Sequence, residues 1–220
     1  MSSIIKNMPY HLQVYDIIKQ KILSGELESG ERIYENKLSQ MLGVSRSPIR
    51  EALRMLEQDE FLVVNDSGLI VNPMDFQDME EIYQCRMAVE PFAAKLAVAT
   101  IDKERIEKLQ ECVDSAKEYH SKKKFNKVIE ANTSFHSLVV TDCGNNRLKG
   151  FIEKISLLAI LSRVSEFQCY QRDEVYLKEH QAVIDALKDR NEKLVEDSLR
   201  NHISNDLKFY RMKYQEKISD

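Results

Sequence analysis

Three histidines occur at spacings that would let them share one metal ion. His136 follows Asn132 by four residues, so the two side chains lie on one face if this stretch is helical. His180 and His202 flank a break near residues 190–191, each about eleven residues away from it. In two antiparallel helices they would reach the same level, about 16 Å from the turn at 1.5 Å per residue.

Neutral imidazoles that converge inside a helical bundle can bind a divalent transition metal, for which we expect zinc or nickel. Three nitrogens and one amide oxygen would leave coordination positions open for water or an incoming anion. The alternative is that each histidine is separately exposed, or is hydrogen-bonded on its own in the core. The matching depth of the three histidines, with Asn132 one turn before His136, favours the metal site.

A second group of chemically competent residues lies in the N-terminal part of the chain. Arg46 and Arg50 are one helical turn apart, and a guanidinium can donate two hydrogen bonds to a guanine edge in the major groove. Ser45 and Ser47 could cap the helix start and donate to phosphates, and Arg54 would meet the DNA backbone. An ordinary amphipathic helix with solvated arginines is the alternative, and the turn and hairpin around this helix favour DNA binding.

Hydrophobic periodicity assigns these arginines to a winged helix-turn-helix domain at residues 1–72. The predicted elements are helices at 10–23, 35–42 and 47–59 and two strands at 61–64 and 69–71. Gly43 separates the second helix from the third, and a polar turn joins the strands into a hairpin. This is the arrangement that directs a recognition helix into the major groove.

The pattern becomes entirely helical after Asn72-Pro73, where proline disfavours helix in the preceding residue and indicates a linker. The predicted helices are 75–100, 102–121, 125–142, 147–165, 172–188 and 192–214. Short connections predict an antiparallel bundle. The fold class is therefore mainly α, a winged helix-turn-helix followed by a six- to seven-helix bundle. The second domain, residues 73–220, is expected to bind metal and effector and to hold a homodimer together.

Charge and composition limit the possible functions. The 220 residues carry a net charge of −4, and residues 1–72 hold eight Lys and Arg against ten Asp and Glu. Non-specific DNA coating needs a strongly basic surface, so DNA binding here would depend on a local patch, doubled by dimerisation. No apolar run approaches a membrane span, and the polar start does not resemble a secretory signal. The cysteines at 85, 112, 143 and 169 are expected as buried thiols of a cytoplasmic protein.

The N-terminal region resembles the winged-helix domain of the GntR transcription regulators. The matching positions are Tyr15, Ile22, Gly25, Leu27, Gly30, Leu38, Ser39, the run 42–53, Leu56 and Gly68. The resemblance implies that Arg46 and Arg50 read bases, while Ser45 and Ser47 hold phosphates. Family wings often carry a basic residue where this chain has Asn65-Asp66.

Residues 75–214 resemble the FCD ligand-binding domain that defines the FadR branch of that family. The matching segments are 83–91, 132–136, 143–145, 179–187 and 200–203. The resemblance implies that Asn132, His136, His180 and His202 hold a divalent metal, and that Arg86 helps to bind an organic acid. Relatives often have Asp at the first of these positions. Asn leaves the site with a formal charge near +2, which strengthens its attraction for a carboxylate.

Three functions follow from these features. The first is a repressor, a homodimer that binds a palindromic double-stranded DNA operator and is controlled by a small carboxylate effector at the metal site. The second is a regulator for which the metal ion is itself the signal. The third is a metalloenzyme with an appended DNA-binding module, because an open metal site can activate water. Glu179 is expected to lie on another helix face than His180, which leaves no obvious general base, so no enzyme is predicted.

Overall fold

The structure, a computed structural model, describes residues 8–167 and 174–219, and the side chains of all of these except residues 163–167 and 217. The chain forms two compact units, Met1–Met74 and Asp75–Asp220. The boundary lies next to the predicted linker Asn72-Pro73. Among the described residues, no helix is both long enough and apolar enough to cross a membrane.

The first unit is a three-helix head with a hairpin. Its elements are α1 (Tyr10–Leu23), α2 (Glu35–Leu42), α3 (Arg46–Gln58), β1 (Leu62–Asn65) and β2 (Gly68–Val71). The strands pair antiparallel with Leu62 opposite Val71, and Arg32 adds an isolated bridge to Ile70. The predicted winged helix-turn-helix is confirmed, with α3 beginning one residue before its predicted start.

The helix α3 packs through one apolar stripe on α1 and exposes its opposite face. The buried residues are Ile49, Ala52, Leu53 and Leu56 on α3 and Val14, Ile18 and Ile22 on α1. These residues recur at intervals of three and four, as expected for an amphipathic helix that covers a core. The Tyr15 hydroxyl also donates a hydrogen bond to Asp59 Oδ2 at 2.6 Å, which ties α1 to the end of α3.

The sharp turn between α2 and α3 depends on Gly43. Its φ of +66° lies in the left-handed region, which costs a glycine little because it has no Cβ. The Gly43 amide donates to the Ser39 carbonyl at 3.0 Å and closes the last turn of α2. This residue therefore sets where α3 begins and in which direction it leaves.

The second unit is an all-helical bundle, as predicted. Its helices are α4 (Phe76–Ala97), α5 (Lys103–Ser121), α6 (Phe125–Thr141), α7 (Asn146–Phe167), α8 (Val175–Lys188) and α9 (Glu192–Ser219). Asp75 caps α4 reciprocally: its side chain accepts from the Asp78 amide at 2.8 Å, and Asp78 accepts from the Asp75 amide at 3.1 Å. Buried aliphatic and aromatic side chains from these helices form one core, in which Tyr83 and Phe135 are among the largest.

The boundaries differ from the prediction at several points. The helix α7 continues through Phe167, although a break was predicted at 166–168, because Glu166 and Phe167 carry no helix-breaking chemistry. The helix α9 extends past residue 214, where its end was predicted. The predicted start of α8, at residue 172, lies outside the described residues. Cys143 is buried as expected, but Cys85 is exposed because α4 turns the neighbouring Tyr83 and Arg86 inward. Cys169 also lies outside the described residues.

Candidate functional site

Three helices of the bundle bring one histidine each to a common centre. His136 lies on α6, His180 on α8 and His202 on α9, and all three are buried. His202 Nε2 lies 3.1 Å from His180 Nε2 and 3.2 Å from His136 Nε2. Two nitrogens bound to one Zn²⁺ at about 2.05 Å would lie roughly 3.0 to 3.4 Å apart. The observed separations therefore fit imidazoles that share one metal ion.

Carboxylate groups lie next to the Nδ1 atoms of two of these rings. Glu179 Oε2 lies 2.8 Å from His202 Nδ1, and Glu90 Oε2 lies 3.0 Å from His136 Nδ1. An ionised carboxylate only accepts hydrogen bonds, so each Nδ1 carries the proton and each Nε2 directs its lone pair toward the centre. Lone pairs brought this close repel one another, and a cation between them would turn that repulsion into coordination.

Asn132 offers the candidate fourth ligand. It is buried one helical turn before His136 on α6. Within the described part of the chain, its Oδ1 is buried and has no hydrogen-bond partner. Leaving a buried acceptor unsatisfied costs about 1–3 kcal/mol, and a coordinated cation would remove that cost. Three imidazole nitrogens and an amide oxygen suit zinc or nickel better than the oxygen-seeking magnesium or calcium ions.

Arg86 lies beside this cluster but is already paired. Its Nε donates to Glu90 Oε1 at 2.6 Å, and its Nη2 donates to Glu90 Oε2 at 3.3 Å. Burial favours the neutral form of the guanidinium, yet the Glu90 carboxylate outweighs this effect and raises the pKa of Arg86 above its usual value. Arg86 Nη1 is buried and makes no hydrogen bond to any described residue. One edge of a charged, pre-paired guanidinium is thus available to a ligand.

A cavity of about 410 Å³ adjoins the histidine cluster between α6 and α7. Arg86, Glu90 and His136 contribute to its lining, so a ligand inside it can reach the edge of the candidate metal site. Among the described residues, the other lining side chains are Thr133, Ser137, Val140 and Thr141 on α6 and Lys149, Ile152, Glu153, Ser156, Leu157, Ala159 and Ile160 on α7. The size is in the range of small-molecule sites.

The head presents its arginines on the exposed face of α3. Arg46, Arg50 and Arg54 are all exposed, and so are Ser45 and Ser47. The expectation that Ser45 caps α3 is wrong: its backbone is extended at the N-cap position, but its side chain makes no capping hydrogen bond with the described residues. The Ser45 hydroxyl is therefore not needed to cap α3, and it can donate a hydrogen bond from the surface.

Neighbouring residues position two of the head's basic side chains. Arg50 Nε donates to Glu35 Oε2 at 2.8 Å, an exposed pair that links α3 to the start of α2. Arg32, which the sequence analysis missed, lies against Gly68 of the wing. Its guanidinium is so close that a Cβ added at Gly68 would lie 3.2 Å from Arg32 Nη2. The bridge between Arg32 and Ile70 brings it there, and no short-range motif marks that contact.

Two glutamates of the histidine cluster were also missed or misjudged. The expectation that Glu179 faces away is wrong, because it accepts from His202 and, at 2.9 Å, from Asn205 Nδ2. Glu179 contacts α9 from α8, whereas the prediction considered only its own helix. Glu90 was detectable as the i+4 partner of Arg86, a spacing typical of helical ion pairs.

A winged head with an exposed arginine face, followed by a helical unit with buried histidines beside a cavity, defines a class: transcription regulators with a second, helical domain. Residues 11–68 match the profile of the bacterial regulatory proteins of the gntR family, and residues 81–205 match the FCD domain. The chain belongs to the GntR family and carries an FCD domain. It is thus a DNA-binding transcription regulator and not an enzyme.

Known relatives agree with this membership, and a solved structure shares the fold. An uncharacterized HTH-type transcriptional regulator of Bacillus subtilis, YdhC, is 32% identical over 203 residues, which cover 91% of each chain. The gluconate operon transcriptional repressor of Bacillus licheniformis is 30% identical over 193 residues, 84% of this chain and 78% of that one. The structure of McbR/YncC from E. coli shares the fold with a TM-score of 0.80 at 22% identity, covering 96% of this chain and 99% of that one.

Proposed function

We propose that this regulator is a repressor whose operator binding is controlled by a small organic acid bound at a metal site in the bundle. The observation that carries the proposal is the convergence of three Nε2 atoms at 3.1 and 3.2 Å beside a cavity of about 410 Å³. The donor set suits a divalent transition metal, and the adjoining cavity suits its ligand. The gluconate repressors among the relatives support repression as the sign of control.

The metal ligands in this proposal are Asn132, His136, His180 and His202. A bound metal would supply positive charge and open coordination positions for a carboxylate. Glu90 and Glu179 accept hydrogen bonds from the Nδ1 atoms of His136 and His202. The Nε2 atoms of these two imidazoles are therefore available to a metal ion without a change of tautomer.

Arg86 has a secondary part in binding the acid. Because Glu90 neutralises its charge, the guanidinium offers one remaining N–H edge and no net positive charge. A carboxylate would therefore gain most of its electrostatic attraction from the metal and its orientation from Arg86 Nη1. Effector binding then favours one conformation of the bundle, and the difference in effector affinity between conformations sets how far operator affinity changes.

The DNA half of the proposal assigns base reading to Arg46 and Arg50, phosphate contacts to Ser45 and Ser47, and a backbone contact to Arg54. Their common exposed face on α3 supports this assignment. A homodimer would present two such faces to the half-sites of a palindrome. Two copies would also double a basic patch that is small in one chain.

Operator binding by the Arg46→Ala, Arg50→Ala double variant tests the DNA half. Each bidentate arginine–guanine contact provides about 1–3 kcal/mol of discrimination, so we expect affinity to fall by at least about 30-fold in a gel-shift titration. The Lys123→Ala, Lys124→Ala double variant removes the same charge from a bundle turn and serves as the control. Operator binding retained by the arginine variant, at the affinity of the lysine control, would contradict the assignment.

A second candidate is a regulator that responds to the metal alone. It is favoured by the Arg86–Glu90 pair, which leaves no uncompensated positive charge for an acid before a metal binds. Gel-shift titrations with Zn²⁺ and Ni²⁺, each with and without organic acids, separate the two functions. An operator affinity that changes with metal and is unaffected by any acid supports this second function.

A further inference from the structure

We infer that the cavity between α6 and α7 takes a medium-length monocarboxylic acid with an apolar body, in preference to a polyhydroxylated acid or a dicarboxylic acid. This inference rests on the proposed function, because the carboxylate is assigned to the metal and Arg86. It goes further by specifying what the rest of the ligand must be.

The walls of the cavity are mainly hydrocarbon. The helices α6 and α7 are joined by the short turn 142–145, so they run antiparallel, and each gives one face to the cavity. The apolar lining side chains are Val140, Ile152, Leu157, Ala159 and Ile160. Burying a hydrocarbon body against them removes apolar surface from water on both sides, which favours binding.

Two of the polar groups that line the cavity are already engaged and offer little to additional hydroxyl groups of a ligand. Both oxygens of Glu90 are engaged, one by Arg86 Nε and the other by His136 Nδ1 and Arg86 Nη2. The Thr141 hydroxyl donates to the Ser137 carbonyl at 2.6 Å, so its proton is already used. Each ligand hydroxyl buried without a partner would weaken binding by about fivefold to a hundredfold.

The charges argue against a second carboxylate. The two charged lining residues on α7 are Lys149 and Glu153, one of each sign and one helical turn apart. Arg86 and Glu90 likewise cancel. A dicarboxylate would therefore place its second charge in a neutral, largely apolar cleft, where desolvation opposes it.

The cavity volume sets the length of the body. At about 30 Å³ for each water-sized group, 410 Å³ holds roughly 14 such groups. Octanoate, with ten non-hydrogen atoms, fits this space with its carboxylate at the Arg86 end. Gluconate has a similar size and the same acid group, so the two differ chiefly in hydroxyls. Octan-1-ol has the same carbon chain as octanoate and lacks its carboxylate.

Calorimetric titration of the Zn²⁺-loaded full chain with these three probes tests the inference, after metal analysis has established loading. We expect octanoate to bind at least tenfold more tightly than either gluconate or octan-1-ol. The Ile160→Thr variant replaces the ethyl group of a wall side chain by a hydroxyl, and we expect about tenfold weaker octanoate binding with unchanged zinc content. Ile106→Thr, the same change at a partly buried position outside the cavity lining, should bind octanoate like the unmodified protein.

The outcomes separate this inference from the function on which it rests. Gluconate binding as tight as octanoate binding would overturn the apolar body and leave the metal-bound acid intact. Octanoate binding that survives Ile160→Thr unchanged would overturn the assignment to this cavity. Failure of both acids to bind the zinc-loaded chain would overturn this inference, whereas the acid-responsive function is overturned only if no organic acid changes operator affinity in the gel-shift titrations.

Discussion

Glu179 determines the orientation and the tautomer of the His202 imidazole. Its Oε2 accepts a hydrogen bond from His202 Nδ1 at 2.8 Å, and its Oε1 accepts one from Asn205 Nδ2 at 2.9 Å. Both contacts join α8 to α9, so one carboxylate orients the ring and selects its tautomer. Such residues behind a metal ligand typically alter metal affinity by 10–100-fold when they are changed.

Glu179→Gln should therefore weaken zinc binding by roughly tenfold, because the amide no longer provides a charged acceptor for the Nδ1 proton. Competition with a chromophoric chelator measures the change. Glu118→Gln, at an exposed position on α5, removes one negative charge at a distance and should leave zinc affinity unaltered. Equal zinc affinities of the two variants would show that Glu179 has no orienting role.

At the scale of elements, the turn between α2 and α3 sets the direction of α3 and therefore of its arginines. Gly43 holds a φ of +66°, and among the described residues no heavy atom apart from those of its chain neighbours lies within 4 Å of the place where a Cβ would stand. Any cost of substitution is therefore backbone strain and not steric collision. Arg46 begins α3 only three residues later and Arg50 follows one turn after it, so strain at Gly43 acts directly on the start of this helix.

Gly43→Ala should lower the free energy of unfolding of the head by about 1 kcal/mol, through left-handed backbone strain. Gly43→Asn should cost less, because asparagine tolerates that conformation better. Urea unfolding followed by helical circular dichroism measures both variants. An alanine variant as stable as the unmodified chain, or less destabilised than the asparagine variant, would contradict the role given to the left-handed turn.

At the scale of the whole molecule, the candidate metal ligands and the exposed arginines belong to different compact units. The candidate metal ligands all lie in Asp75–Asp220, and the arginine face lies in Met1–Met74. Metal binding to the folded bundle alone stabilises that unit by mass action, about 3–4 kcal/mol at 100 to 1,000 times the dissociation constant.

Removal of metal by a chelator should therefore lower the bundle's melting temperature by roughly 10 °C, given about 2–4 °C per kcal/mol for a unit of this size. Hydrogen exchange resolved by peptide should show faster exchange in α6, α8 and α9 and unchanged exchange in α1 and α3. His180→Ala, which lacks a candidate ligand, should be insensitive to the chelator. A chelator effect of equal size in that variant would rule out the histidine cluster as the site.

Local chemistry accounts for much of what could be predicted. Helix and strand periods, the glycine at 43 and the polar turn of the hairpin are properties of neighbouring residues, so the winged head and the helical bundle followed from the sequence. The exposure of Arg46 and Arg50 followed in the same way, because the apolar stripe of α3 leaves the opposite face outward. The level of His180 and His202 was also predictable from their distances to one turn.

The tertiary structure alone decided which polar groups meet. Glu90 pairs with His136 across 46 residues, and Glu179 pairs with His202 across 23. Such contacts depend on the rotation and lateral packing of helices against a common core, which a helical period does not specify. For the same reason, only the fold revealed that Arg32 reaches the wing and that α6 and α7 line a largely apolar cavity beside the imidazoles.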